Sequence, residues 1–309
     1  ATIVNDLRCV IYILEQLVAM DVQALLNKGD FEIASDLVVE SVDNIIDALH
    51  DMQLFKGNES ETVAWLVNFA ADKLKVEIDE VTTEFDNVDW DGQKEVYKDI
   101  VKDIVSLLKD NNLITFNDVV DFIKNKEYNS TTFINKANAT AVLNILDKVI
   151  DVEVIDAIIP LIVKYGIKLI DEKGFDVSYI NDLTSEQLAA DFHKFVAIAH
   201  TLVEDVDLVS YYVENFKGNM PLPNEAGILK AIDQIFELNI ITQADGKLAT
   251  LIYNTVIEKV VPQGKEFILD ISDFSFATID WSKEKEVIKG LVTVAYDLLE
   301  VNNILLFFS

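Results

Sequence analysis

Metal binding, nucleophilic attack and acid–base catalysis each need particular side chains at a fixed spacing, and this chain offers few. It carries 3 His and 1 Cys. His193 and His200 are seven residues apart, on one face of a helix. A zinc site wants i, i+4 spacing and a third ligand, which nothing nearby supplies. Both are read as packing or surface histidines, and His50 stands alone. Cys9 lies beside Val10 and Ile11 with no neighbouring His, so it reads as a small core residue. A single Cys also excludes a disulfide framework and any Cys-based zinc site.

The run Asn87-Val88-Asp89-Trp90-Asp91-Gly92 matches the opening of a calcium loop, but position twelve is Lys98 where a bidentate Glu belongs. Helix capping by Asp89 is the expected role, with a weak calcium site as the alternative. Among 54 Asp+Glu no carboxylate pair stands out as acid and base. Phosphate-binding Gly loops, GxSxG elbows and HExxH pairs are absent. The expectation is a non-enzyme with no catalytic residue, no metal ligand and no cofactor.

Charge and apolar runs narrow the partners. A formal net charge of −29 repels phosphate backbones, which argues against nucleic acid. The run Ala157–Val163 is interrupted by Pro160 and closed by Lys164, far short of the roughly 20 apolar residues a membrane span needs. The closing ILLFFS is shorter still, and the opening lacks a basic, cleavable leader. The acids are interleaved with apolar residues rather than gathered in a tail, as on a solvated acidic surface. A basic protein or calcium are the partners such a surface would favour.

The chain also matches itself. Residues 89–113 (DWDGQKEVYKDIVKDIVSLLKDNNL) and 280–304 (DWSKEKEVIKGLVTVAYDLLEVNNI) align without gaps with eleven identities in 25 positions. These include Asp89/Asp280, Trp90/Trp281 and Glu95/Glu286, six positions assigned to a repeat framework. A copy without the Trp spans 182–209, and a weaker one opens the chain, with Leu17-Val18 against Leu107-Leu108. A second recurring stretch appears as VDNIIDALHDM (42–52), VLNILDKVIDV (142–152) and ILKAIDQIFEL (228–238), with Asp47, Asp147 and Asp233 in register. The period is therefore about 95 residues. The expected divisions are a partial repeat over 1–38, repeats over 39–134 and 135–223, and a truncated repeat over 224–309. On this register the chain opens and closes inside a repeat, as a segment of a longer array would.

Within each copy the apolar spacing is helical. Leu188, Phe192, Phe195, Val196, Ala199 and Leu202 form one stripe, and Val287, Ile288, Leu291, Ala295 and Leu298 another. Thr184 with Gln187 predicts a capping box, Asp89 and Asp280 are predicted N-caps, and the pairs Asn111-Asn112 and Asn302-Asn303 are predicted helix ends. Trp90 and Trp281 are given a shared packing role at the helix start. Further helices are predicted at 31–54, 60–75, 115–125, 138–150, 154–170, 227–238 and 246–260, with EFILDISDF (266–274) as an extended connection. The triplets at Asn58, Asn129 and Asn138 match glycosylation acceptors. The fold class expected is all-α, built of tandem helical repeats stacked as an array.

The Asp-Trp-x4-Glu opening, Asp89-Trp90…Glu95 and Asp280-Trp281…Glu286, resembles the helical repeat regions of large surface proteins of low-GC Gram-positive and wall-less bacteria. The acidic, Cys-poor composition is similar to that of surface-layer and filament-forming proteins. The resemblance implies an extracellular or cell-surface, non-catalytic protein. The reading is a structural repeat segment of a stalk, filament or coat, whose partner is another copy of the same repeats. The alternative is a helical-array binding module for a basic protein, peptide or lipid.

Overall fold

In a computed structural model, the structure describes residues 2–27, 30–53, 59–76, 89–172, 183–218, 222–242 and 281–307. The described residues form thirteen α-helices and no strand, in an all-α chain. In order they are α1 (Thr2–Ala19), α2 (Val22–Leu26), α3 (Asp36–Asp51), α4 (Glu59–Leu74), α5 (Trp90–Asp110), α6 (Phe116–Lys124) and α7 (Lys136–Ile150). There follow α8 (Glu153–Asp171), α9 (Ser185–His200), α10 (Leu208–Phe216), α11 (Glu225–Ile235), α12 (Asn239–Thr242) and α13 (Trp281–Phe307). Among them, none is long and apolar enough to cross a membrane.

Side-chain caps set where several of these helices start. Ser35 accepts from the Val38 N–H at 3.2 Å, so α3 begins at Asp36 rather than at residue 31. Residues 31–34 are held extended instead, Ile33 N–H donating to Ile114 O and Phe116 N–H to Phe31 O. Thr115 and Asp118 form a capping box at α6, and Thr184 and Gln187 form the predicted one at α9. Asn135 caps α7, which starts two residues before the predicted position. The predicted 246–260 helix and the 266–274 connection lie outside the described residues.

The two Asn-Asn pairs behave differently. After α5, Asn112 takes the left-handed conformation (φ 57°) and the N–H of buried Leu113 returns to Leu108 O. Asn302-Asn303 does not end a helix: α13 runs through it to Phe307. The difference lies downstream, since Leu113 turns back into the core while Ile304-Leu305-Leu306 follows the second pair with good helix formers and no turn residue.

Cα packing divides the chain into two compact units, one of residues 1–73, 78–158 and 209–221, the other of 74–77, 159–208 and 222–309. The expected division at 38/39 falls within α3, and those at 134/135 and 223/224 fall just before α7 and α11. In the first unit α1 packs on α3, α3 on α5 and α5 on α7. Paired side chains show that each neighbour is antiparallel: Gln16 with Asn44 and Asp6 with Gln53, then Lys109 with Asp36 and Lys98 with Asp47, then Asn111 with Asn138 and Gln93 with Glu153. In the second unit α9 packs on α11 and α11 on α13, again antiparallel. Buried aliphatics such as Val38, Val105, Leu143 and Ile150 fill the first unit, and Leu188, Val196, Ala231 and Leu238 the second.

One glycine lets two helices of the second unit meet. After α9 the chain makes a π turn over Thr201–Asp205, with Val206 N–H bonded to Thr201 O at 2.9 Å. Gly227 in α11 lies directly against it. A Cβ there would sit 2.6 Å from the Asp205 carbonyl carbon and 2.7 Å from Val206 N. Gly227→Ala should therefore destabilise the protein by about 1–3 kcal/mol in urea unfolding, although Ala is the better helix former by about 1 kcal/mol. A stability equal to or above that of the parent would contradict this contact.

Candidate functional site

The predicted framework residues sit at a helix start. Asp89 caps α5, its Oδ1 accepting from the Gly92 N–H at 3.0 Å, so it plays the expected capping role. Trp90 is half-buried at the first helical position and Glu95 is exposed, 3.4 Å from Lys98. Trp281 likewise opens α13, and Glu286 is exposed on its second turn. Asp280 lies outside the described residues, as do Asn87 and Val88 of the candidate calcium loop. No group of three or more metal-ligating side chains occurs among the described residues.

What these helices bring together is a carboxylate between two lysines. On α3, Asp47 Oδ1 is 2.7 Å from Lys98 Nζ and 3.3 Å from Lys94 Nζ of α5. On α11, Asp233 is 2.8 Å from Lys289 Nζ and 3.3 Å from Lys285 Nζ of α13. Lys94 and Lys98 are the partners of Lys285 and Lys289 in the 25-residue alignment, and Asp47 and Asp233 are in register in the other recurring stretch. The two lysines lie four apart, one helical turn, so both ammonium groups reach a single Asp on the facing helix. The hydrogen bond from Lys98 chiefly, then Lys94, holds the Asp47 carboxyl below the usual carboxylate range, and Lys289 with Lys285 does the same for Asp233. Reciprocally, Asp47 raises Lys98 and Asp233 raises Lys289. Further bridges lie beside the first clasp, Lys102 with Asp43 at 3.9 Å and Lys109 with Asp36.

A second contact recurs on the helix pairs. Each recurring Asp-bearing stretch ends in a buried aliphatic: Met52, Val152 or Leu238. The next backbone N–H is taken by a side chain of the packed helix. Gln53 N–H donates to Asp6 Oδ1 (2.7 Å), Glu153 N–H to Gln93 Oε1 (2.9 Å) and Asn239 N–H to Asp191 Oδ1 (2.8 Å). Asp191, buried, also accepts from Ile240 N–H and Asn239 Nδ2 and so caps α12 from across the interface. Asp6 and Asp191 occupy one register position, and Gln93 reaches from three residues earlier.

Other candidates have local roles. His200 Nδ1 lies 3.3 Å from Glu204 Oε1, one turn on, and His50 is tilted against the ring of Tyr97, whose hydroxyl is raised by burial. Cys9 is a half-buried free thiol on α1. Asn138 is buried and bonded to Asn111 by reciprocal amide bonds of 2.8 and 3.1 Å, so this acceptor is closed to a glycan, whereas Asn129 is exposed. Sequence reasoning put Asp47 and Asp233 in register but did not pair them with lysines. The signal was there, because both lysine pairs are among the identities. It also passed over exposed Trp65, stacked on Phe69, with Lys73 over the same Phe ring.

Comparison with protein-family models, with curated proteins and with solved structures finds no match for this chain.

Two measurements check this geometry. Asp47→Asn with Asp233→Asn should lower stability relative to the parent by a constant amount above about pH 5, with Asp47 contributing roughly 0.5–1 kcal/mol because its carboxylate is partly solvated. Both carboxyls are lowered in the folded state, so their contribution is complete above the unfolded carboxylate value of about 3.9 and fades as pH falls through the lower folded values. The difference between parent and variant should close in that acid window; a difference that grows there would contradict it. Asp191→Ala strips three donors of their acceptor and should cost about 2 kcal/mol or more, read by urea unfolding.

Proposed function

We propose that this chain is a non-catalytic structural segment of tandem helical repeats, two of which pair an Asp-bearing helix with a Lys-bearing one. Such a segment builds an extracellular or cell-surface stalk, filament or coat through repeat-to-repeat helical contacts. The observation that carries the reading is the clasp: Asp47 with Lys94 and Lys98, and Asp233 with Lys285 and Lys289, at positions the sequence independently matches. A repeat of about 95 residues is the simplest source of that coincidence, and helices exposing unsatisfied apolar flanks gain by stacking on further copies. The cell-surface assignment rests on the acidic composition and on the resemblance of the Asp-Trp-x4-Glu openings.

A second reading, a binding module for a basic protein, peptide or lipid, draws on a different observation. The exposed Trp65–Phe69 stack lies on a chain of net charge −29, apolar contact and negative field together.

Electron microscopy of the purified protein, with and without millimolar calcium, separates the two. Regular filaments or sheets are expected, and their persistence without calcium would show that helix contacts alone suffice. A compact monomer at every concentration by size exclusion would contradict the structural reading.

A further inference from the structure

In the first unit α5 is covered on both flanks. Lys94, Lys98, Lys102 and Lys109 face α3, and Gln93, Asp103 and Asn111 face α7. In the second, α13 meets α11 through Lys285 and Lys289, the counterparts of Lys94 and Lys98, and Tyr296 donates to Pro223 O just before α11. Its other flank, Val287, Leu291, Val294 and Leu298, is exposed.

Aligned with α5 by Leu17 against Leu107, α1 meets α3 through Asn5, Asp6 and Gln16, the counterparts of Glu95, Val96 and Ser106 and of none of the four lysines. Its other flank presents Val4, Arg8, Ile11 and Tyr12 at the positions of Lys94, Lys98, Val101 and Lys102. All four are exposed, Val4 and Ile11 by more than half. Arg8 is the chain's one arginine, and it stands where Lys98 and Lys289 each hold an aspartate. Among the described residues it makes no ion pair of its own.

We propose that this flank of α1 is a docking surface for an acidic amphipathic helix of the α3 class, supplied by another repeat of the same kind. The helix would lie antiparallel to α1, with an aspartate in the position of Asp47 on Arg8. This rests on the repeat reading above and adds to it the identity of the partner and the residue that selects it. The occupant follows from two features: the equivalent flanks of α5 and α13 are both covered by such a helix, and the one cation on the α1 flank sits at the clasp position. An arginine there offers a planar fork to a carboxylate, a stronger directional match than an ammonium. A basic or neutral helix would leave that charge unpaired.

The test uses the full chain and a fluorescein-labelled synthetic peptide of residues 36–53, followed by anisotropy at low salt. Saturable binding is expected, weakened about tenfold or more by Arg8→Glu and similarly by Ile11→Asp. A peptide carrying Asp47→Lys should bind the parent weakly and recover on the Arg8→Glu protein. Lys124→Glu on α6 should change nothing. Arg8 is exposed, and unchanged circular dichroism of Arg8→Glu shows that the fold survives. Absence of binding, or binding indifferent to Arg8 as when the peptide merely displaces α3, overturns the proposal. Regular assemblies by microscopy without peptide binding would reject this docking surface and leave the repeat reading standing; loss of both would reject both.

Discussion

A helix with apolar residues along two flanks must be covered twice, and that requirement organises what this protein builds. α5 meets it fully, held between α3 and α7. Coverage by aliphatic side chains alone is nondirectional, so it fixes that helices pack but not in which register. The register comes from the polar seam: one Asp between two lysines a turn apart, and one carboxylate or amide that takes the N–H beyond the buried Met52, Val152 or Leu238. Neither contact contributes much stability singly where it is solvated. Their value lies in excluding a slipped pairing, in which buried Lys98 would lose its carboxylate.

Much of this was legible in the sequence for a simple reason. Amphipathic spacing and capping residues are local, so α6, α7, α8 and the Thr184–Gln187 box could be read from neighbours a few residues apart. The identities of Lys94 with Lys285 and Lys98 with Lys289 were legible too. Their partner was not, because Asp47 is 51 residues from Lys98 and Asp233 is 56 from Lys289, and only the packing of α3 on α5 and of α11 on α13 joins them. The same holds for Asp191, which caps a helix 48 residues away. Local signals misled where the decision was made downstream. Asn302-Asn303 is identical to Asn111-Asn112, yet the first lies within a helix and the second closes one, because the Leu113 N–H turns back to Leu108 O while Ile304-Leu305-Leu306 adds further helix formers.

Polar groups that look suggestive in isolation have structural occupations. Asp89 caps α5, and Asn138 is tied to Asn111. Among the described residues most acids are exposed, while Lys94, Lys98, Lys285 and Lys289 lie at helix seams.

Paired double-mutant cycles test whether the two clasps are equivalent. Asp47 with Lys98 and Asp233 with Lys289 should each show favourable coupling in urea unfolding, of similar size and with the same decline on adding salt. Coupling at one pair and none at the other would mean that the two sites are alike in sequence but not in structural role.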